Sequence, residues 1–182
     1  PLEFSNRVGL PINEALMFVD QTLIGAGLRD KIRLIASGKI ATGFDVTQKV
    51  ALGADLCNCA RAMMFTIGCI QALKCDTNKC PTGVTTMDPA RIRALNVENK
   101  YPRVARFHAA ILKNFCDLLG AMGYSHPDEL SPKDIHIRVS QEKTVTFSER
   151  YTELLPNQLL GADIPDSYRR DWEQASADSF LA

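Results

Sequence analysis

The sequence predicts an α/β fold: parallel βα units that give way to a cysteine-bearing loop, a long helix and a short, irregular, partly β tail. Three observations predict it. Between Ile12 and Cys59, short apolar runs alternate with amphipathic helical stretches, joined by only a few residues. Five of the six cysteines crowd into Cys57–Cys80. Past Pro132 the apolar period changes from helical to alternating.

The elements follow in order. Residues 11–26 form a helix, with Pro11 suited to a first helical position, Ile12, Leu16, Val19 and Leu23 on one face, and Gly25 and Gly27 as stops. Residues 32–36 are a short buried strand ended by Ser37-Gly38. A helix from about Asp45 to Leu52 is closed by Gly53, and a strand from Leu56 to Cys59 comes next. A helix near Met63–Lys74 leads into a loop, Cys75–Pro89. The longest helix runs from about Pro102 to Met122, with Val104, Phe107, Ile111, Phe115, Leu118 and Met122 on one face and Gly123 as its cap. Ile135, Ile137 and Val139 alternate with polar residues, as do Val145 and Phe147, which suggests a hairpin. The tail from Gly161 is acidic, offers Trp172 and Phe180 as anchors, and is expected to wrap the body or a partner.

The 182 residues suffice for one domain with a substantial core. Basic and acidic residues balance at 21 each, which argues against a nucleic-acid or polybasic membrane partner. No apolar run is long enough to span a bilayer, and no signal peptide opens the chain. Its start at Pro1 rather than a methionine leads to the expectation that it is one piece of something longer. Clustered cysteines without an export signal point to a metal or redox site in a reducing, cytoplasmic compartment rather than to a disulfide framework.

Two turns have the chemistry to bind an anion. Ser37-Gly38-Lys39-Ile40-Ala41-Thr42-Gly43-Phe44-Asp45 joins a strand to a helix; Gly38 permits a tight turn, Gly43 a close approach, and Asp45 can cap the helix. Ala60-Arg61 follows the next strand and opens another helix, and Arg61 could add a charge contact. Adjacent βα turns of this kind form the phosphate site at the last two strands of a (β/α)8 barrel. A plain turn with two glycines, and an arginine paired to a surface carboxylate, are the alternatives.

Cys69, Cys75 and Cys80 are spaced C-x5-C-x4-C. Six residues on a continuous helix rotate a side chain by about 600°, so a shared metal requires the helix to end before Cys75. Asp76-Thr77-Asn78 is suitable for the reversal, and Pro81 stiffens the exit. Three thiolates suit a three-iron cluster, a four-iron cluster with an external ligand, or zinc, and the residues alone do not choose among them. Cys57 and Cys59 on a strand, and Cys116 on the long helix, read as small core residues.

Taken together, Ser37–Asp45, Ala51-Leu-Gly-Ala-Asp55, Ala60–Met64, Gly68-Cys69, Cys75, Cys80-Pro-Thr-Gly-Val84 and Asp88-Pro89 resemble the FMN-binding domain of glutamate synthases and glutamate-synthase-related proteins, over roughly Pro1–Leu130. The resemblance implies the C-terminal βα units of an FMN-binding (β/α)8 barrel in residues 1–130 and a C-terminal extension in 131–182. It implies that Ser37, Gly38, Gly43, Ala60 and Arg61 bind the FMN phosphate and that Cys69, Cys75 and Cys80 ligate a 3Fe–4S cluster. Electrons from a nicotinamide-dependent or ferredoxin donor would reach FMN, and hydride would pass to the imine of 2-oxoglutarate and glutamine-derived ammonia, giving glutamate. Only two barrel strands are recognisable, so the rest of the barrel or a complementary chain is an expected partner. The chain alone is expected not to turn over, and to self-associate, need a complementary chain or rearrange its ends. An FMN oxidoreductase with another substrate, or a non-catalytic zinc-stabilised interaction module, are the rival readings.

Overall fold

The computed structural model of the chain describes residues 8–179. The fold is mixed α/β, with two two-stranded sheets and no closed barrel among the described residues.

Helix α1 spans Ile12–Gly25, with Pro11 in the cap position and Gly27, at φ 67°, reversing the chain beyond it. Its buried side is rotated from the apolar stripe. Leu16 is buried as expected, but so are Met17, Asp20 and Gln21, while Val19 is exposed. Distant partners make that burial tolerable: Arg29 Nε donates to Asp20 Oδ1 at 2.6 Å, and Leu154 N donates to Gln21 Oε1 at 2.7 Å. A periodicity count, blind to these partners, assigns the polar pair to solvent.

Strand β1, Ile35–Ser37, pairs with β2, Leu56–Asn58. The expected buried strand at 32–36 is thus shifted and mostly uncovered: Ala36 is buried, but Ile32, Ile35 and Leu56 are exposed. A two-stranded sheet cannot cover alternate side chains on both of its faces. Helix α2, Gly43–Ala51, starts ahead of Asp45. Helix α3, Arg61–Thr66, stops well short of Lys74, because Gly68 turns the chain at φ 111°. The segment to Asp88 is loop. A short helix α4, Pro89–Ile92, leads to the long α5, Val97–Ala121.

Asn96 rather than Pro102 starts α5, its side chain accepting from Asn99 N at 2.9 Å, and Pro102 lies inside the helix. The apolar face is largely as read: Ile111 is buried and Val104, Phe107, Phe115 and Leu118 are half-buried, with Leu119 buried in place of Met122. Cys116 is exposed, not in the core.

The hairpin forms as the alternation predicts. Strand β3, His136–Arg138, pairs antiparallel with β4, Thr144–Thr146, with Ile137 opposite Val145. Ile135 and Phe147 flank it and are buried, and Phe147 opens α6, Phe147–Arg150, under a Thr146–Glu149 capping box. A final helix α7, Asp166–Gln174, was not evident from its polar sequence. Tyr168 stacks on Phe18 at 5.4 Å, and Trp172 packs on the cluster of Leu154, Leu159 and Tyr168, an anchor as expected. Phe180 lies outside the described residues.

The described residues group into two compact units. One takes the chain up to Ala36, Lys49–Leu56 and the chain from Leu130 on; the other takes Ser37–Gln48 and Cys57–Glu129. In the first, Phe147, Met17, Leu52 and Leu159 are the most fully buried large side chains. No helix among the described residues is long and apolar enough to cross a membrane.

Candidate functional site

The two βα turns and the three cysteines all fall in or at the edge of the second unit. Ser37 ends β1 and is exposed, and Gly38 follows at φ 155°. Thr42, not Asp45, caps α2. Asp45 sits one turn in, where its Oδ2 accepts from Ala41 N at 3.0 Å, Thr42 N at 2.9 Å and Thr42 Oγ1 at 2.8 Å. In return, Asp45 N donates to Thr42 Oγ1 at 3.1 Å. Two amides of this turn, those of Ala41 and Thr42, are therefore held by the chain's own carboxylate. A Cβ on Gly43 would lie 2.5 Å from Phe115 N and 2.7 Å from Asn114 Cβ, so the bare Cα of Gly43 is used for close packing on α5.

Ala60 is the cap residue of α3 and Arg61 its exposed first residue. Cys59 has a part that spacing did not reveal: its Sγ donates to Ile40 O at 3.1 Å, tying the second turn to the first. Of the residues expected to bind phosphate, Ser37 and Arg61 are exposed, Gly43 packs on α5 and Ala60 caps α3.

The three cysteines line one pocket, together with Lys74, Thr82 and Thr85. The helix ends before Cys69, so the condition for a shared site is met. Thr77 folds the loop back as its sequence suggests, donating through Oγ1 to Lys74 O at 2.9 Å. Asn78, at φ 59°, then latches the loop to the following segment, accepting from Met87 N at 2.6 Å and Thr86 Oγ1 at 3.0 Å. Cys80 is buried, Cys69 half-buried and Cys75 exposed.

The pocket encloses about 10 Å³, room for about one water. Among the described residues, no three His, Cys, Asp or Glu side chains are placed to hold a metal ion. Three thiols are by their chemistry donors for a thiophilic metal or cluster, but the loop as it stands has to open to admit one. Residues 70–79 are all exposed, and Gln71 and Leu73 sit at φ 55° and 52°, a region costly for residues with a Cβ. Such a loop can open at small cost.

Cys80 is the best prepared of the three. The Thr82 hydroxyl, 3.5 Å from its Sγ, and the Thr85 and Thr82 backbone amides outweigh its burial and lower its thiol to about 6. It is thus largely thiolate at pH 7, the form that ligates metal. The Thr85 hydroxyl adds a weaker pull in the same direction without reaching hydrogen-bond geometry to any group. The sequence signal for these helpers was a run of threonines just after Cys80-Pro81, which spacing rules for ligands do not read.

The class the fold defines is an α/β chain with three cysteines around one pocket behind two helix-opening turns. The chain belongs to the glutamate synthase family: a family model described as the conserved region in glutamate synthase matches residues 1–125. It is 43% identical over 136 residues to the glutamate synthase large subunit-like protein YerD of Bacillus subtilis, covering 75% of this chain and 26% of that one. It is 38% identical over 130 residues to the archaeal glutamate synthase [NADPH] of Methanocaldococcus jannaschii, covering 71% and 26%. It is 29% identical over 134 residues to the ferredoxin-dependent glutamate synthase of Antithamnion sp., covering 71% and 8%. The chain thus spans about a quarter of the length of the first two. The family is one of oxidoreductases.

Proposed function

We propose that this chain supplies the cofactor-binding C-terminal portion of a glutamate-synthase-type flavoenzyme. Residues 1–130 are the last βα units of an FMN-binding (β/α)8 barrel, and 131–182 are an extension whose tail packs on α1. The observation that carries the proposal is the convergence of Cys69, Cys75 and Cys80 on one pocket in a chain of this family.

In this reading Cys69, Cys75 and Cys80 hold a 3Fe–4S cluster. Cys80 would be held from the buried side of the pocket and Cys75 from the exposed loop. Ser37, Gly38 and Gly43 on one turn, with Ala60 and Arg61 on the next, would hold the FMN phosphate. When bound, the cluster supplies one-electron transfer and FMN supplies hydride to the imine of 2-oxoglutarate and ammonia. The remaining strands, and the ferredoxin or nicotinamide-dependent donor, come from elsewhere in the enzyme, in keeping with the quarter of the relatives' length that this chain spans.

Anaerobic purification, visible spectroscopy and analysis for iron, acid-labile sulfide and zinc test the proposal. Brown protein with iron and sulfide, lost in Cys80→Ser, is the expected result. Colourless protein with one zinc per chain and no sulfide would overturn it in favour of a zinc-stabilised module, for which three thiolates are equally suitable.

A further inference from the structure

Thr85 carries a hydroxyl that acts on Cys80 only weakly as the loop stands. Its Oγ1 is buried and has no hydrogen-bond partner, and no other buried side-chain oxygen or nitrogen among the described residues shares that condition. An unmade hydrogen bond at a buried hydroxyl is unfavourable, and a fold keeps one where a partner arrives later or where a function needs it. Its neighbours differ: the Thr86 hydroxyl donates to Asn78, and the Thr82 hydroxyl lies 3.5 Å from Cys80 Sγ. Thr85 lines the same pocket as Cys69, Cys75 and Cys80.

The geometry points to Thr85 as a positioning residue whose hydroxyl donates a hydrogen bond to the Cys80 sulfur when the pocket is loaded with an iron–sulfur cluster, raising the cluster's reduction potential. This rests on the reading that the pocket holds such a cluster. A hydroxyl has one proton to give, and a metal-bound thiolate is an acceptor rich in electron density. Reduction adds one negative charge to the iron–sulfur unit, so a donor held against a ligand sulfur favours the reduced form. The electron comes from a one-electron reductant, and no bond is made or broken at Thr85. A hydroxyl fixed on the buried side of the pocket also leaves the exposed side, with Cys75, free to open.

The test compares Thr85→Val, which keeps the shape and removes the hydroxyl, with Thr85→Ser, which keeps the hydroxyl, in the anaerobically purified holoprotein. The readout is the cluster midpoint potential in a dithionite titration followed by electron paramagnetic resonance, with iron and sulfide measured on each sample. The expected result for Thr85→Val is unchanged iron and a shift of about tenfold toward the oxidised form, which is about 59 mV for one electron. Thr85→Ser should match the parent. If Thr85→Val fails to load, Thr85→Ala takes its place; loss of iron from both with retention in Thr85→Ser also supports a role for the hydroxyl. Equal potentials in Thr85→Val and the parent, or loss of the cluster from Thr85→Ser, would overturn the inference while leaving the cluster reading intact. Parent protein without iron or sulfide would overturn that reading first, and the inference with it.

Discussion

The hairpin with its tail and the cysteine loop are built on opposite plans. Around the hairpin, Phe147 and Leu159 are almost wholly buried, and capping boxes and long-range hydrogen bonds fix the chain. Along residues 70–79 every side chain is exposed, with Leu73 at 62% and Ile70 at 66%. The lesson is a division of labour. The unit that joins the hairpin and tail to α1 holds a packed core, while the cysteine loop buries almost none of its own side chains.

The sharpest way to break that comparison is to empty the core under the hairpin. Phe147→Ala removes an aromatic ring that is 2% exposed and should cost about 3–5 kcal/mol, read as a fall in Tm or denaturant midpoint. A loss below about 1 kcal/mol would mean that the hairpin and tail are not the stable part of the chain.

Arg29→Ala should come next. Arg29 reaches Asp20 at 2.6 Å, Asp55 at 2.9 Å, Gly53 O at 2.9 Å and Ile32 O at 2.8 Å, and removing it leaves Asp20 buried without its cation. Breaking such a pair costs roughly 3 kcal/mol or more. Burial already raises the Asp20 carboxyl above its ordinary value despite Arg29. Without Arg29 it rises further, so stability is fully present below the unfolded carboxyl value and is lost as pH rises through the folded one. The variant should therefore lose less relative to the parent at mildly acidic pH than at pH 7, and chemical unfolding at both pH values measures it. An equal loss at both would show that Asp20 is not the group left stranded.

These two sites also explain what was legible in the sequence. Local period and end signals gave α1, the apolar face of α5 and the hairpin, because each is decided by residues a few places apart. The face of α1 came out rotated, since Asp20 and Gln21 find partners at Arg29 and Leu154 that no local pattern shows. The tail helix α7 escaped notice because its burial rests on Tyr168 stacking against Phe18, far back in the chain. At the site, C-x5-C-x4-C singled out three cysteines that line one pocket. The Asp45 carboxylate on the amides of α2, the Cys59 bond to Ile40 and the orphaned Thr85 hydroxyl are facts of three-dimensional placement, and composition could not supply them.

Gly43→Ala tests whether the cysteine-bearing unit has any tightly specified contact of its own. The added methyl would meet the backbone of α5 at 2.5 Å, and a helix backbone yields far less readily than a side chain. The expected cost is about 1–3 kcal/mol. A neutral result would make the whole unit as loose as its loop.

The smallest effect has the opposite sign. Leu73 stands at φ 52°, where a side chain is strained by roughly 1 kcal/mol, and at 62% exposure it recovers little by burial. Glycine relieves the strain but gains freedom in the unfolded chain, which offsets part of the benefit. Leu73→Gly should therefore stabilise the metal-free loop by about 0.5 kcal/mol, read as slower amide exchange and slower proteolysis at residues 70–79. Any substantial destabilisation would show that Leu73 packs into the cysteine pocket tightly enough to hold it closed. The loop would then be an ordered element awaiting metal rather than a strained one, and the contrast with the hairpin would shrink to a difference of degree.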